Sequence, residues 1–416
     1  MTDGATQEAI EAIWRLESTR LIAGLVRIVR DVEQAEDLAQ DALVAALQQW
    51  PTSGVPDNPG AWLMTTAKRR GVDQFRRRDR LDQIYTAIAR GHGNEMSEED
   101  FLAAVDHVED DVLRLMFICC HPALTSEAQC TLTLKLVGGL TTREIARAYL
   151  TTEATVAQRV VRAKRTLAEA GAALEEPTEA ERAERLTAVL SVIYLLYNEG
   201  YSATAGSEWL RPALCDEALR LGRILTALVP RDAEVHGLCA LMELQSSRLA
   251  ARTAADGSPI LLLDQDRSRW DPVHIVRGLA ALDRAMMSST DLGPYALQAA
   301  IAACHARAET AEATDWVRIA ELYEELARLT GSPVVEVNRA VALGMAYGPE
   351  AGLELLDQLA GLPALQGYHL LPSVRGDLLA KLGRPDEAKA EFARAANMTQ
   401  NERERSLLLD RASESS

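Results

Sequence analysis

The chain is poor in the residues that chemistry needs. Seven His among 416 residues give acid–base catalysis little material. There is no Gly-rich phosphate loop, no Ser-His-Asp set and no metal-ligand spacing, so the sequence predicts no catalytic residue, no metal and no cofactor. Six Cys without a Cys-x-x-Cys pair exclude a disulfide scaffold and fit a reducing cytoplasm. Long apolar runs are missing too. The longest, Leu186 to Tyr197, is too short to cross a hydrocarbon layer of roughly 30 Å, and the polar, acidic first ten residues do not resemble a secretory signal. A cytoplasmic protein with no membrane partner is expected. Positive charge is also short: 44 Lys and Arg against 61 Asp and Glu leave a net charge of −17, which argues against indiscriminate coating of nucleic acid. What is present, 48% hydrophobic and 25% charged residues, is the composition of a soluble globular protein, and the length suggests two or three domains.

The charge is unevenly spread. Residues 1–167 hold 20 basic and 24 acidic residues, and residues 168–416 hold 24 and 37, so most of the negative excess, −13, lies in the second part. Within the first part, Ala61 to Arg80 and Lys135 to Leu167 each carry seven basic residues against two acidic ones. Two +5 patches in an acidic chain concentrate field where a polyanion could be met, although two solvated helix faces would look the same.

Apolar residues recur at three- and four-residue spacing throughout, without sustained alternation, which predicts an all-α fold. Helices are expected near 7–29, 34–50, 60–79, 101–119, 126–137, 142–149 and 153–170. The reading divides the chain into a first helical domain over 1–80, a linker over 81–105, a second helical domain over 106–170, and a C-terminal array over 181–416. In the array, Asp315–Leu329, Pro349–Leu359 and Pro385–Ala396 are similar amphipathic segments about 35 residues apart, and Gly383, Ala388, Phe392 and Ala395 are spaced like a tetratricopeptide repeat. Such helix pairs bury their apolar faces only by stacking on neighbours.

Residues 141–167 read as a helix-turn-helix. Thr141 and Glu144 form a capping box, and Thr152 can cap a second helix on which Val156, Val160, Ala163 and Leu167 make a core stripe. The opposite face carries Thr155, Gln158, Arg159, Arg162 and Arg165. Arg can grip guanine edges bidentately, and Thr and Gln can reach bases or phosphates. The alternative is a plain helical hairpin with a charged exterior. On the earlier basic helix, Lys68, Arg69, Arg76 and Arg77 lie largely opposite an apolar face, with Trp62 and Phe75 interleaved, a composition suited to unstacked single-stranded bases or, for the two rings, to a core. Asn58 lies in a preceding Pro- and Gly-rich loop over 51–60. Upstream, Asp37, Gln40 and Asp41 share one helix face by their spacing.

These segments resemble the extracytoplasmic-function (ECF) sigma factors of bacterial RNA polymerase. Asp37-Leu38-Ala39-Gln40-Asp41 resembles the motif that grips the polymerase clamp. Trp62-Leu63 and the basic helix are similar to the promoter-melting helix, and Leu140 to Leu167 to the reader of the −35 element. Cys119-Cys120-His121-Pro122, Tyr197-Asn198-Glu199-Gly200-Tyr201, Asp264 to Trp270 and Asn338-Arg339-Ala340-Val341 look like the subgroup with a tetratricopeptide-like extension. The resemblance implies a non-enzymatic transcription initiation factor whose partners are core RNA polymerase and promoter DNA. Asp37, Gln40 and Asp41 would touch polymerase. Asn58, Trp62, Lys68, Arg69, Arg76 and Arg77 would hold the −10 region, and Thr155, Gln158, Arg159, Arg162 and Arg165 the −35 duplex. It also implies control of activity by the extension, with a small DGPF-motif protein as a candidate partner there. Two departures are Leu150, where the turn usually has Gly, and the absence of an aromatic residue from the loop over 51–60.

A stand-alone helix-turn-helix regulator with a repeat sensor, and a repeat scaffold that binds only proteins, are the competing readings. Cys119, Cys120, His121 and Cys130 fit buried thiols with a capping His better than a zinc site. Asp264, Asp266, Arg267 and Arg269 fit an ion-paired brace between helices better than a ligand cluster.

Overall fold

The computed structural model describes residues 3–86, 108–149, 151–172, 179–202, 210–254, 257–399 and 401–414. Among them every extended element is helical, apart from one isolated bridge between Thr253 and Pro259. Leu150 and most of the expected linker lie outside the described residues. The chain divides into two compact units, residues 1–192 and 193–416.

The first unit opens with α1 (Asp3–Val29), α2 (Val32–Ser53) and α3 (Pro59–Thr86). Asp31 starts α2 by accepting a hydrogen bond from the Gln34 amide at 2.8 Å, the oxygen-to-amide capping that short polar side chains favour. The expected break at Pro51 comes later. Pro51 sits inside the last turn of α2, which ends at Gly54 with φ 82°, a left-handed conformation that Gly adopts without a Cβ penalty. Likewise α3 runs past residue 79 to Thr86, because Leu81 to Thr86 contains neither Gly nor Pro to stop it. Leu25, Leu38, Ala42, Trp50, Leu63 and Ala67 are buried among these three helices.

Four further helices complete the unit: α4 (Val108–Cys119), α5 (Ser126–Leu136), α6 (Thr142–Ala148) and α7 (Glu153–Glu169). α4 and α5 pack on α1, and α7 packs on α5, α6 and α2. Polar groups stitch the two sets together. The Thr19 hydroxyl donates to the Val137 carbonyl at 2.8 Å, and the Arg27 guanidinium pairs with the buried Asp111 carboxylate at 2.8 Å. Glu36, 7% exposed, pairs with Lys164 of α7 and with Lys135 of α5, the latter at 3.8 Å. Buried charges persist only when paired, so these contacts hold the two sets in register.

The helix α8 (Glu179–Tyr201) spans the boundary between the units. In the second unit it is followed by α9 (Pro212–Leu228), α10 (Ala233–Ser246), α11 (Pro272–Ser288), α12 (Pro294–Arg307), α13 (Trp316–Thr330), α14 (Pro333–Tyr347), α15 (Pro349–Leu359), α16 (Leu370–Lys381), α17 (Pro385–Met398) and α18 (Glu402–Glu414). Neighbours in sequence pack on one another from α9 to α18, the tetratricopeptide-like array that the repeat spacing implies. Close crossings are made at glycines. A Cβ on Gly237 of α10 would stand 2.6 Å from the Ala296 amide nitrogen of α12, and one on Gly376 of α16 would stand 2.8 Å from the Phe392 ring of α17. Ala388, Phe392 and Ala395 are buried, and Gly383 turns the chain at φ 67°.

Candidate nucleic-acid interface

The helix-turn-helix is built from its caps inward. The Thr141 amide donates to Glu144 Oε2 at 2.8 Å while Thr141 Oγ1 accepts from the Glu144 amide at 3.2 Å, the reciprocal pair that its spacing predicts. Thr152 Oγ1 accepts from the Thr155 amide at 3.1 Å and starts α7. Val156, Val160, Ala163 and Leu167 are buried, which turns the opposite side of α7 outward. There Thr155, Gln158, Arg162 and Arg165 are exposed. With Thr125 and Glu127 of the preceding turn and α5, α7 borders a cleft of about 390 Å³.

Three of the five expected −35 contacts are already engaged. The Thr155 hydroxyl shares a hydrogen bond of 2.8 Å with Thr152 Oγ1. Arg165 donates to Glu169 at 2.8 Å. Arg159 pairs with Glu127 and leans on Thr131 Oγ1 at 3.4 Å, so its side chain is 19% exposed rather than outward like Arg162. The spacing along one helix could not reveal that pairing, because Glu127 is on another.

In the first three helices, Asp37 and Gln40 are exposed and Asp41 is half-buried. Asp41 pairs with Arg70 of α3 at 3.2 Å, and Gln40 Nε2 donates to Glu36 Oε1 at 3.2 Å. Arg69 is exposed and Lys68 half-buried. The backbone of α3 carries Arg76 and Arg77, whose side chains lie outside the described residues, as does that of Phe75. Asn58 caps α3, its Oδ1 accepting from the Ala61 amide at 3.0 Å. Trp62 is half-buried and meets the buried Trp50 ring edge-on, with centroids 5.2 Å apart, an arrangement aromatic pairs prefer. The helix α2 carries one inward acid that the sequence reading missed. Glu36, next to Asp37, turns inward and couples this helix to α7. Its only sequence signal is its place one step round the helix from the exposed acids.

The other clusters resolve as packing. Cys119, Cys120 and Cys130 are buried, and burial pushes the Cys120 thiol up to about 12. His121 Nδ1 accepts from the Ala123 amide at 3.2 Å, a capping His. Arg267 is a brace, but a hydrogen-bonded one rather than an ion-paired one. It donates to the His305 carbonyl, to the Ala308 carbonyl at 2.7 Å and to Thr314 Oγ1 at 3.1 Å, the end of α12, where helix carbonyls lack partners.

A capped two-helix hairpin with an outward polar face, together with a basic helix behind an acidic-polar one, is the arrangement expected of a promoter-recognition protein of the sigma type. Family models agree: sigma-70 region 2 matches residues 6–81, sigma-70 region 4 matches residues 114–167, and a family of unknown function (DUF6596) matches residues 185–286. An uncharacterized protein, R00370 of Rhizobium meliloti (strain 1021), is 44% identical over 382 residues, covering 91% of this chain and 89% of that protein. The ECF RNA polymerase sigma factor SigK of Mycobacterium sp. (strain KMS) is 26% identical over 161 residues, 37% of this chain and 78% of that one. SigK of Mycobacterium ulcerans (strain Agy99) is 28% identical over 153 residues, 36% and 78% of the two chains. The crystal structure of yeast Tom70 superposes with a TM-score of 0.37 at 10% identity, over 99% of this chain and 84% of that one. The chain belongs to the ECF sigma factors of bacterial RNA polymerase, in a form with a helical C-terminal extension. Among the described residues no helix is long and apolar enough to cross a membrane.

Proposed function

We propose that the chain is an alternative sigma factor that binds core RNA polymerase, recognises −35 and −10 promoter elements and starts transcription, under control of its C-terminal array. The observation that carries this reading is the exposure pattern of α7: a buried Val156–Leu167 stripe and, opposite it, exposed Gln158 and Arg162 in the helix position that enters a major groove. Thr155, Gln158, Arg159, Arg162 and Arg165 meet the −35 duplex, Arg159 after leaving Glu127. Asn58, Trp62, Lys68, Arg69, Arg76 and Arg77 hold the opened −10 strand, with Trp62 as a ring platform and the cations on phosphates. Asp37, Gln40 and Asp41 dock on polymerase.

The four parts of the chain keep these roles apart: residues 1–80 for polymerase and −10 contacts, 81–105 as linker, 106–170 for the −35 element, and 181–416 for regulation. The array's net negative charge disfavours the DNA backbone, so its control acts through protein or ligand contacts, a DGPF-motif protein among the candidate partners. Transcription in vitro with purified core polymerase and a promoter library tests the reading. Promoter-specific initiation that needs this chain is expected. Site-specific DNA binding by the chain without polymerase would favour a stand-alone regulator, and no salt-sensitive promoter binding in the holoenzyme would favour a scaffold.

A further inference from the structure

The five polar side chains assigned to the −35 duplex do not fill the outward side of α7. On a helix of 3.6 residues per turn, the line most directly opposite the buried Val156, Val160, Ala163 and Leu167 runs through Ala154, Gln158, Val161 and Arg165. All four are exposed. Val161, at 63% exposure, stands between Gln158 and Arg165, with Arg162 beside it. Arg165 reaches on to Glu169 at 2.8 Å, one turn further from Val161. Thr155 and Arg159 lie farther round, where Thr152 and Glu127 engage them. A branched apolar side chain therefore holds the middle of a line that is otherwise polar or small.

A single exposed valine on an ordinary protein surface has no meaning of its own. Its place here does. The −35 reading of α7 turns this line towards the base edges of a major groove, and those edges are almost wholly donors and acceptors: N7 and O6 of guanine, N7 and N6 of adenine, N4 of cytosine and O4 of thymine. Valine methyls laid over any of these would strip its water and return no hydrogen bond, which costs free energy. The one apolar group in the groove is the C5-methyl of thymine. Val161 has two methyls to set against it. Its χ1 is nearly fixed within a helix, so the contact costs little side-chain entropy.

We infer that Val161 is a specificity-determining residue of the −35 contact, packing on the C5-methyl of a thymine beside the positions met by Gln158 and Arg162. The inference rests on the proposed function and adds what the polar residues do not supply: a preference for thymine at one position that uses neither a hydrogen bond nor a charge. Ala154, on the same line nearer the start of α7, adds no bulk that would hold the helix away from the base edges.

Quantitative footprinting of the holoenzyme, formed by the full chain and core polymerase, tests it on a promoter selected by transcription in vitro. Each thymine of the −35 region, on either strand, is replaced singly by deoxyuridine, which keeps the base pairing and removes only the C5-methyl. One replacement is expected to weaken binding by about four-fold, the worth of one buried methyl group. Val161→Ala should weaken the thymine duplex by a similar factor and erase the difference between the two duplexes. Because Ala is the better helix former and the position is exposed, this variant should melt no lower than the wild type. Its salt dependence should also be unchanged, since no phosphate contact is lost. Arg69→Ala, on α3, should lower overall affinity yet keep the preference for thymine. A −35 footprint indifferent to every deoxyuridine, a methyl dependence that survives Val161→Ala, or its equal loss in Arg69→Ala would each overturn the inference and leave the promoter reading in place. Absence of any −35 footprint would overturn both.

Discussion

Arg159 and Arg162 are three residues apart on one helix, yet they start from different states. Arg162 is exposed, whereas Arg159 is held by Glu127. On the proposed reading, promoter contact would cost Arg159 its ion pair with Glu127, a cost that Arg162 would not bear. Glu127→Ala should tighten holoenzyme binding to its promoter by roughly 0.5–1 kcal/mol, the worth of a half-exposed pair, while Arg162→Ala should weaken it by about 1–3 kcal/mol and relax preference at one position if it reads a base. Footprint titrations on variant promoters measure both. Unchanged affinity in Glu127→Ala would mean that Arg159 stays on Glu127 in the complex. A second residue, Glu36, works inside the protein. Glu36→Gln keeps the shape but leaves Lys164 and Lys135 without their counter-charge. A loss of about 1–3 kcal/mol is expected, read as a lower urea midpoint. Wild-type stability would show that the two lysines reach solvent at no cost.

At the scale of elements, the ends of helices were legible in the sequence and their partners were not. Thr141 with Glu144 and Thr152 announce α6 and α7 because a cap is a local bond between residues three apart. The stripe Val156–Val160–Ala163–Leu167 announces the buried side for the same reason. By contrast, the Glu36–Lys164 and Arg159–Glu127 pairs join different helices, and no period along one helix encodes them. Pro51 misled because a proline in a last turn removes a single hydrogen bond and leaves the helix intact to Ser53. The stacking of the array's helix pairs was hidden for a related reason, since it joins different helices. That stacking is tight enough to test. Gly237→Ala sets a methyl group against the Ala296 backbone of α12, where no flexible side chain can yield. Overpacking of this kind costs about 1–3 kcal/mol, and calorimetric melting should show a lower transition temperature. An unchanged melt would mean that the α10–α12 crossing opens freely.

The proposed function divides labour between a promoter-reading half and an acidic array, and each half answers to a different experiment. Cutting after Ala180 should leave a fragment that binds polymerase but initiates at a reduced level in transcription assays. Equal initiation by fragment and full chain would remove the array from control. The array itself should be acid-sensitive. His305 carries a pKa of about 3 in the folded chain against an ordinary 6.5, so between these values the unfolded chain takes up a proton that the folded one refuses. Stability is then fully present above pH 6.5 and falls as pH drops towards 3. His305→Gln should flatten that part of the stability profile, and an identical slope in wild type and variant would place the acid sensitivity elsewhere.

The buried thiols give each half of the molecule its own clock. Burial holds Cys120 and Cys130 at about 12 and about 11 in the first unit, and Cys215 and Cys239 at about 12 and about 11 in the second. Because the thiolate is the reactive form, fewer than about one in ten thousand of these sulfurs is ready to react at neutral pH while the fold is closed. An alkylating reagent thus marks a cysteine only in the moments when its surroundings open, and peptide mapping of the mark would time the opening of the promoter-reading half and of the array separately, in a single tube.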